Sequence, residues 1–197
     1  MFLWAAWLSL SRTTTFGKGS RAVGLQNFID FVTDDVFVRV VKNTLMLSLY
    51  NIVFCFPAPI ILAILLTEMR NRFLSRITQT VTFIPYFISL VVVCGMVLSF
   101  CSPSTGLINI ILRSLGLEEH YFMVDPDAFR PIYTIMMMWR ETGFNAIVYV
   151  AALMGIDRQL YEAAKVDGAS KWQQIRYVTL PGLMPTIVTM FILQIGK

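Results

Sequence analysis

The chain has 197 residues, of which 56 % are hydrophobic and only 14 % charged, with a mean hydropathy of +0.67 and a net charge of +4. Soluble domains carry nearer ~25 % charged residues, so composition excludes an ordinary soluble domain and points to the membrane class. The small positive charge is scattered, which excludes a nucleic-acid surface, and no nucleic acid partner is expected.

Residues 1–10 (MFLWAAWLSL) are too short to span a bilayer. They lack the basic start of a signal peptide, and SLSR is a poor cleavage site. Residues 1–43 are therefore expected to be an extracytoplasmic segment that follows a missing first span. The first membrane-length stretch, 44–67 (TLMLSLYNIVFCFPAPIILAILLT), is uncharged and about 36 Å long as a helix. Residues 80–101 form a second uncharged stretch, and residues 132–155 a third, interrupted by Arg140 and Glu141. A fourth begins near Pro185 and is cut off at Lys197, so residues 44–197 read as part of a transmembrane domain. The fold class expected is all-α, a polytopic transmembrane helical bundle. Pro57, Pro59 and Pro85 lie inside the spans, where they serve either as structural kinks or as flexing elements.

Charge orients the spans. Loop 68–79 has Arg70, Arg72 and Arg76, and loop 156–184 has Arg158, Lys165, Lys171 and Arg176. Counting lysine and arginine alone places both in the cytoplasm and the acidic loop 102–131 outside. Arg12, Lys18, Arg21, Arg39 and Lys42, ahead of the first span, run against this orientation. In the outer loop, Leu107, Ile108, Ile111, Leu112 and Leu115 recur at helical spacing and Gly116 supplies a stop, which predicts a short interfacial helix.

Catalytic chemistry has little to build with. GKGS at 17–20 lacks the upstream glycine and preceding strand of a phosphate-binding loop. There is no HExxH, and His120 is the sole histidine. Cys55, Cys94 and Cys101 have no ligand spacing and read as small packing residues. No metal, no cofactor and no enzymatic activity are expected of this chain by itself.

Polar chemistry concentrates in two places. The first is Trp139-Arg140-Glu141, where each charge costs roughly 2.5–3.5 kcal/mol at a helix centre and needs a partner or a wet cavity. Adjacent residues point about 100° apart, so Arg140 and Glu141 are not expected simply to neutralise one another. They line a polar solute path, with Trp139 offering a flat face to a sugar ring, or they pair with a neighbouring helix or snorkel; both readings stand. The second is YEAAKVDGASKWQQIRYVTLPG, 161–182. Asp157 suits an N-cap, Gly168 a break, and Ser170 with Gln173 a capping box. The second helix is expected to end before Pro181. The result is a cytoplasmic loop, 157–181, of two short helices folded at a glycine. Its small residues Ala163, Ala164, Gly168 and Ala169 beside Glu162 and Asp167 suit docking into a partner's groove better than a plain solvated hairpin.

Glu162-Ala163-Ala164, Asp167-Gly168-Ala169 and Val178-Thr179-Leu180-Pro181 with Pro185 resemble the EAA signature of type I ABC-importer permeases. Val23-Gly24-Leu25-Gln26-Asn27-Phe28, Lys42-Asn43-Thr44-Leu45 and Phe83-Ile84-Pro85-Tyr86-Phe87-Ile88 resemble the carbohydrate-uptake branch. The strings FPAPIILAILL and SLYNIVF look nearest to its polysaccharide and oligosaccharide permeases. The chain departs at Arg158, where many relatives have proline. The resemblance implies an inner-membrane subunit working with a second homologous permease, two ATPase subunits and an extracytoplasmic solute-binding protein that delivers a carbohydrate. It also implies that the EAA loop is the coupling helix, with Glu162 as the polar contact to the ATPase and Gly168 as the bend. Ala163, Ala164 and Ala169 would be its close-packed surface, and alternating access would follow ATPase closure. An ABC permease for another solute, such as an amino acid, is the runner-up. A carrier or channel without an ATPase would have only Glu141 as an intramembrane carboxylate and no use for the hairpin.

Overall fold

The structure, a computed structural model, describes residues 11–13, 20–22 and 25–196. The readings placed on residues 1–10, on Gly17-Lys18-Gly19, on Val23 and Gly24 and on Lys197 lie outside the described residues. The chain divides into two compact units, Met1–Ser48 and Leu49–Lys197.

In the first unit, strand β1 (Ser11–Thr13) pairs antiparallel with β2 (Ser20–Ala22), Arg12 opposite Arg21. Helix α1 (Gln26–Thr33) ends at Asp34, whose extended backbone starts α2 (Asp35–Tyr50). The Val36 N–H donates to Asp34 Oδ1 at 2.8 Å, an N-cap, and the Phe31 and Phe37 rings meet across the joint at 4.9 Å. The helix thus begins well before the uncharged stretch that opens at residue 44. Arg39 and Lys42 are good helix formers with exposed side chains, so they lower hydropathy without breaking the helix.

In the second unit, a π-helical turn (Asn51–Cys55) leads into α3 (Pro57–Glu68). The Phe56 N–H reaches back five residues to Asn51 O at 3.0 Å. This widened turn accommodates Pro57, which has no N–H and whose ring would crowd the carbonyl four residues earlier in a regular helix. Asn71 caps α4 (Arg72–Phe83) by accepting from the Phe73 and Leu74 N–H groups at 2.9 and 3.4 Å. A 3-10 turn (Ile84–Phe87) follows, and α5 (Leu90–Phe100) leaves at 96° to the run Arg72–Phe87. The uncharged stretch 80–101 is therefore not one straight helix: Ile88 and Ser89 both adopt extended ψ angles, 131° and 135°, just after Pro85.

The outer loop contains α6 (Leu107–Ser114), which stops at Gly116 as the sequence predicts, with the Leu117 N–H bonded to Leu112 O at 2.9 Å. Helix α7 (Pro126–Met154), capped by Asp125, is about 43 Å long and crosses the unit from the outer loop to the hairpin. Helix α10 (Leu180–Ile195), numbered after the two hairpin helices described below, completes the core. Ala63 of α3, Ala146, Tyr149 and Leu153 of α7, and Leu183 of α10 are buried together. Small residues matter at such contacts because lipid removes most of the hydrophobic drive between helices, leaving close packing to hold them. Ala63 and Ala146 let α3 and α7 approach.

The helical runs Asp35–Glu68 and Lys171–Ile195 are long and apolar enough to cross a membrane, and the bent pair Arg72–Phe87 with Leu90–Phe100 adds a broken span. Apart from the small β-hairpin, the described fold is all helical. It is a polytopic transmembrane bundle.

Candidate functional site

The hairpin is built from local capping chemistry. Asp157 accepts the Gln159 N–H at 2.9 Å and starts α8 (Arg158–Val166). Gly168, at φ 76°, ends it. The Ala169 N–H bonds to Ala164 O at 2.9 Å and the Gly168 N–H to Lys165 O at 3.1 Å, so the last carbonyls of α8 are satisfied by a left-handed glycine turn. Ser170 and Gln173 then form the reciprocal capping box that opens α9 (Lys171–Gln174).

The second arm does not end before Pro181. It runs through a π-helical turn (Ile175–Thr179) directly into α10. Pro181 follows directly on the widened turn, which makes room for its ring and its missing N–H inside the continuous helix. The hairpin and the following span are one continuous element, Lys171–Ile195.

Glu162, Ala163, Asp167 and Gly168 are exposed on this hairpin, and Ala164 and Ala169 are half-buried. Apolar side chains join them at the surface: Val166 is 88 % and Trp172 72 % exposed. Behind the hairpin, a cavity of about 400 Å³ is lined by Glu68, Tyr161, Glu162, Lys165, Lys171 and Gln174, among others. Lys171 Nζ donates to Glu68 Oε2 at 2.6 Å, which brings loops 68–79 and 156–184 to one end of the bundle. The acidic outer loop caps the other end of α7. The two loops that the lysine and arginine count groups together thus share one end.

The Trp139-Arg140-Glu141 triplet is divided by the structure. Arg140 Nη1 and Glu141 Oε1 form an ion pair at 3.3 Å, contrary to the expectation from their directions on the helix. The arginine side chain is long enough to curl back, and Tyr86 holds it there: the guanidinium carbon lies 5.3 Å from the Tyr86 ring centre. Tyr86 in turn stacks on Phe144 at 3.8 Å and 5°. Arg140 Nε and Thr142 Oγ1 are buried without a partner. Glu141 faces a cavity of about 120 Å³ shared with Asn51, Cys55, Thr142, Asn145 and Gln194. Gln194 Nε2 donates to Asn51 Oδ1 at 3.2 Å across it. Trp139 instead lines a separate apolar groove with Val93, Met96, Phe100, Ile108 and Ile135.

Sequence reasoning therefore found the two charges but not their surroundings. Asn51, Thr142, Asn145 and Gln194 are polar residues inside apolar runs, a signal that was present. Nothing in the sequence marks Tyr86 as the platform for Arg140. Among the described residues, no three His, Cys, Asp or Glu side chains are grouped as a metal site requires.

Residues 55–197 match the protein family described as the binding-protein-dependent transport system inner membrane component. The polygalacturonan/rhamnogalacturonan transport system permease protein YteP of Bacillus subtilis (strain 168) is 41 % identical over 178 residues, covering 90 % of this chain and 56 % of that protein. The lactose transport system permease protein LacF of Rhizobium radiobacter is 33 % identical, covering 92 % of this chain and 61 % of its own. A crystal structure of a bacterial ABC transporter involved in the import of the acidic polysaccharide alginate is similar at 43 % identity and a TM-score of 0.84. It covers 88 % of this chain and 60 % of the matched one. A crystal structure of a bacterial alginate ABC transporter in complex with an alginate pentasaccharide-bound periplasmic protein matches with the same identity and TM-score. The chain thus spans less than two-thirds of the length of these relatives.

Proposed function

Because this chain belongs to the family of binding-protein-dependent transport system inner membrane components, we propose that it forms part of the permease subunit of an ATP-driven carbohydrate importer. Its solute is an oligosaccharide or polysaccharide fragment, the class that relatives' names carry. Two ATPase subunits, a second homologous permease and an extracytoplasmic solute-binding protein complete the assembly. The chain itself is a conduit, with ATP hydrolysis left to the partner subunits.

The observation that carries this reading is the α8–α9 hairpin. It projects small residues and exposed apolar side chains, and it continues without a break into a membrane span. Glu162, Ala163, Ala164, Asp167, Gly168 and Ala169 are its ATPase-facing residues. Closure of the ATPase dimer pushes on this surface, and the continuous Lys171–Ile195 helix carries the displacement into the bilayer. Residues 1–43 and the loop 102–131 lie on the extracytoplasmic side, and residues 44–197 are the membrane domain. Glu141 lines the polar cavity on the solute path with Arg140 paired to it, and Trp139 flanks that path from its apolar groove.

The test is a cross-link. Ala164→Cys in an otherwise cysteine-free full-length protein, co-expressed with an ATPase carrying cysteines along its cleft, is expected to give a band that changes with ATP. No band from an intact complex rejects the coupling role. Uptake of labelled oligosaccharide, competed by sugars but not by amino acids, is the expected solute profile.

A further inference from the structure

Helix α9 is joined rigidly to the membrane span, but α8 is joined to α9 only through Asp167–Ser170. That link contains a left-handed glycine and no helical backbone, so it is a natural hinge. A push received on α8 would be absorbed there unless something ties the two arms together.

Two part-buried cross-ties do so. Tyr161 Oη of α8 lies 3.0 Å from Thr179 Oγ1, the last residue of the π-helical turn. Gln174 Nε2 donates to Ala169 O at 2.9 Å, and the Ala169 N–H bonds to Ala164 O of α8 at 2.9 Å, so Gln174 holds the residue that reaches back across the glycine. Thr179 and Gln174 are each only 4 % exposed. The Thr179 hydroxyl also reaches Gln174 O at 3.4 Å. With its proton directed there, Thr179 Oγ1 accepts from the Tyr161 hydroxyl, so hydrogen bonds run from the α8 side chain through the Thr179 hydroxyl to the main-chain carbonyl of Gln174.

We propose that Tyr161, Thr179 and Gln174 are positioning residues that lock the two arms of the hairpin into one lever, so that displacement of α8 is delivered to α10 rather than lost at Gly168. This rests on the coupling role proposed above. The tie runs to the widened turn itself, the point at which the hairpin becomes the span, so the lock fixes the angle between the ATPase-facing arm and the membrane helix. None of the three needs to touch an ATPase or a solute.

The experiment uses the complete transporter in proteoliposomes with its binding protein, measuring ATP hydrolysed and labelled oligosaccharide moved in the same sample. Tyr161→Phe and Thr179→Ala each remove one hydroxyl, and Thr179→Ser keeps it. The expected result is continued ATP hydrolysis with solute moved per ATP reduced about three- to tenfold in Y161F and T179A, the size of effect that loss of one buried hydrogen bond produces. T179S is expected to retain the native ratio, and the Y161F/T179A double variant to be no worse than the poorer single one. An unchanged ratio in both hydroxyl-free variants overturns the proposal, as do additive losses or failure of T179S to retain the ratio. Membrane levels of each variant, read by immunoblot, identify one that fails to assemble, and the ratio in the remaining hydroxyl-free variant then decides. Failure of the Ala164→Cys cross-link in the native background, by contrast, rejects the coupling role itself, so the two failures are separable.

Discussion

Lys171 Nζ sits 2.6 Å from Glu68 Oε2, linking the start of the second hairpin arm to the end of α3 across more than a hundred residues of sequence. The pair ties the hairpin to the helix that forms the core with α7. Lys171 is largely exposed, and exposed pairs contribute little, at most about 1 kcal/mol. Lys171→Glu is therefore expected to speed backbone hydrogen exchange in residues 158–174 by no more than about fivefold, the equivalent of that energy. Lys171→Glu with Glu68→Lys should recover the native rate. A double swap that exchanges as fast as the single variant would show that the contact has no energetic content.

Gly143 is buried where α7 crosses the end of α4. A Cβ built there would fall 1.9 Å from Thr82 O and 2.8 Å from Phe83 N, both backbone atoms that cannot swing away. Gly143→Ala is expected to cost about 1–3 kcal/mol through overpacking, seen as a lower melting temperature in detergent. Gly95 meets nothing within 4 Å and is the control. Gly95→Ala should melt at or slightly above the native temperature, since alanine is the better helix former.

Arg140 and Glu141 stabilise each other as a pair. Arg140→Gln leaves a carboxylate in the span with its cation gone, at a cost of the order of 2.5–3.5 kcal/mol on insertion scales. The expected readout is a marked fall in monodisperse protein after extraction. Arg140→Gln/Glu141→Gln should recover most of it, because both charges are then absent. Equal losses in the single and double variants would place the damage elsewhere, in the contact with Tyr86.

The outer loop should respond to acid. Asp125 has its carboxyl held below the usual carboxylate range, first by the Asp127 N–H and then by the His120 side chain. A lowered folded value means that its contribution is present above the unfolded value of about 3.9 and is lost as pH falls through the folded value. Hydrogen exchange at the start of α7 should accelerate below about pH 4 in the native protein. In Asp125→Asn that acceleration should be absent. Beside it, Asn109 is fully buried, with its amide donating to Ser102 O and His120 O and accepting from the His120 N–H. Asn109→Leu is expected to destabilise the loop by about 1–3 kcal/mol, as for buried partners left unpaired, measured as faster exchange at residues 117–122.

The hairpin was legible because its chemistry is local. Asp157, Gly168 and the Ser170–Gln173 pair each act within four residues, so spacing alone identifies them. The short helix ending at Gly116 was legible for the same reason. What happens at Pro181 was not. A proline reads as a stop, and only a widened turn upstream converts it into an entry, a feature with no signature of its own. The bend after Pro85 depends on two extended residues, Ile88 and Ser89, whose side chains favour no such turn. The Tyr86 platform that holds Arg140 back on its neighbour Glu141 needed tertiary structure, because residues on different helices have no spacing to read.

The widened turns at Asn51–Cys55 and Ile175–Thr179 have a consequence for phase. Each adds one residue to a helical turn, and one residue is about 100° of rotation about the axis. Which side of the second arm looks outward, relative to the side of α10 that packs on Tyr149, thus depends on a single extra residue as well as on the contacts that hold the hairpin. Removing one residue from 175–179 would rotate Ser170 and everything before it to a new bearing, while every cap and every membrane contact stayed chemically intact. In this element an insertion or deletion, not a substitution, is the change that re-aims the surface.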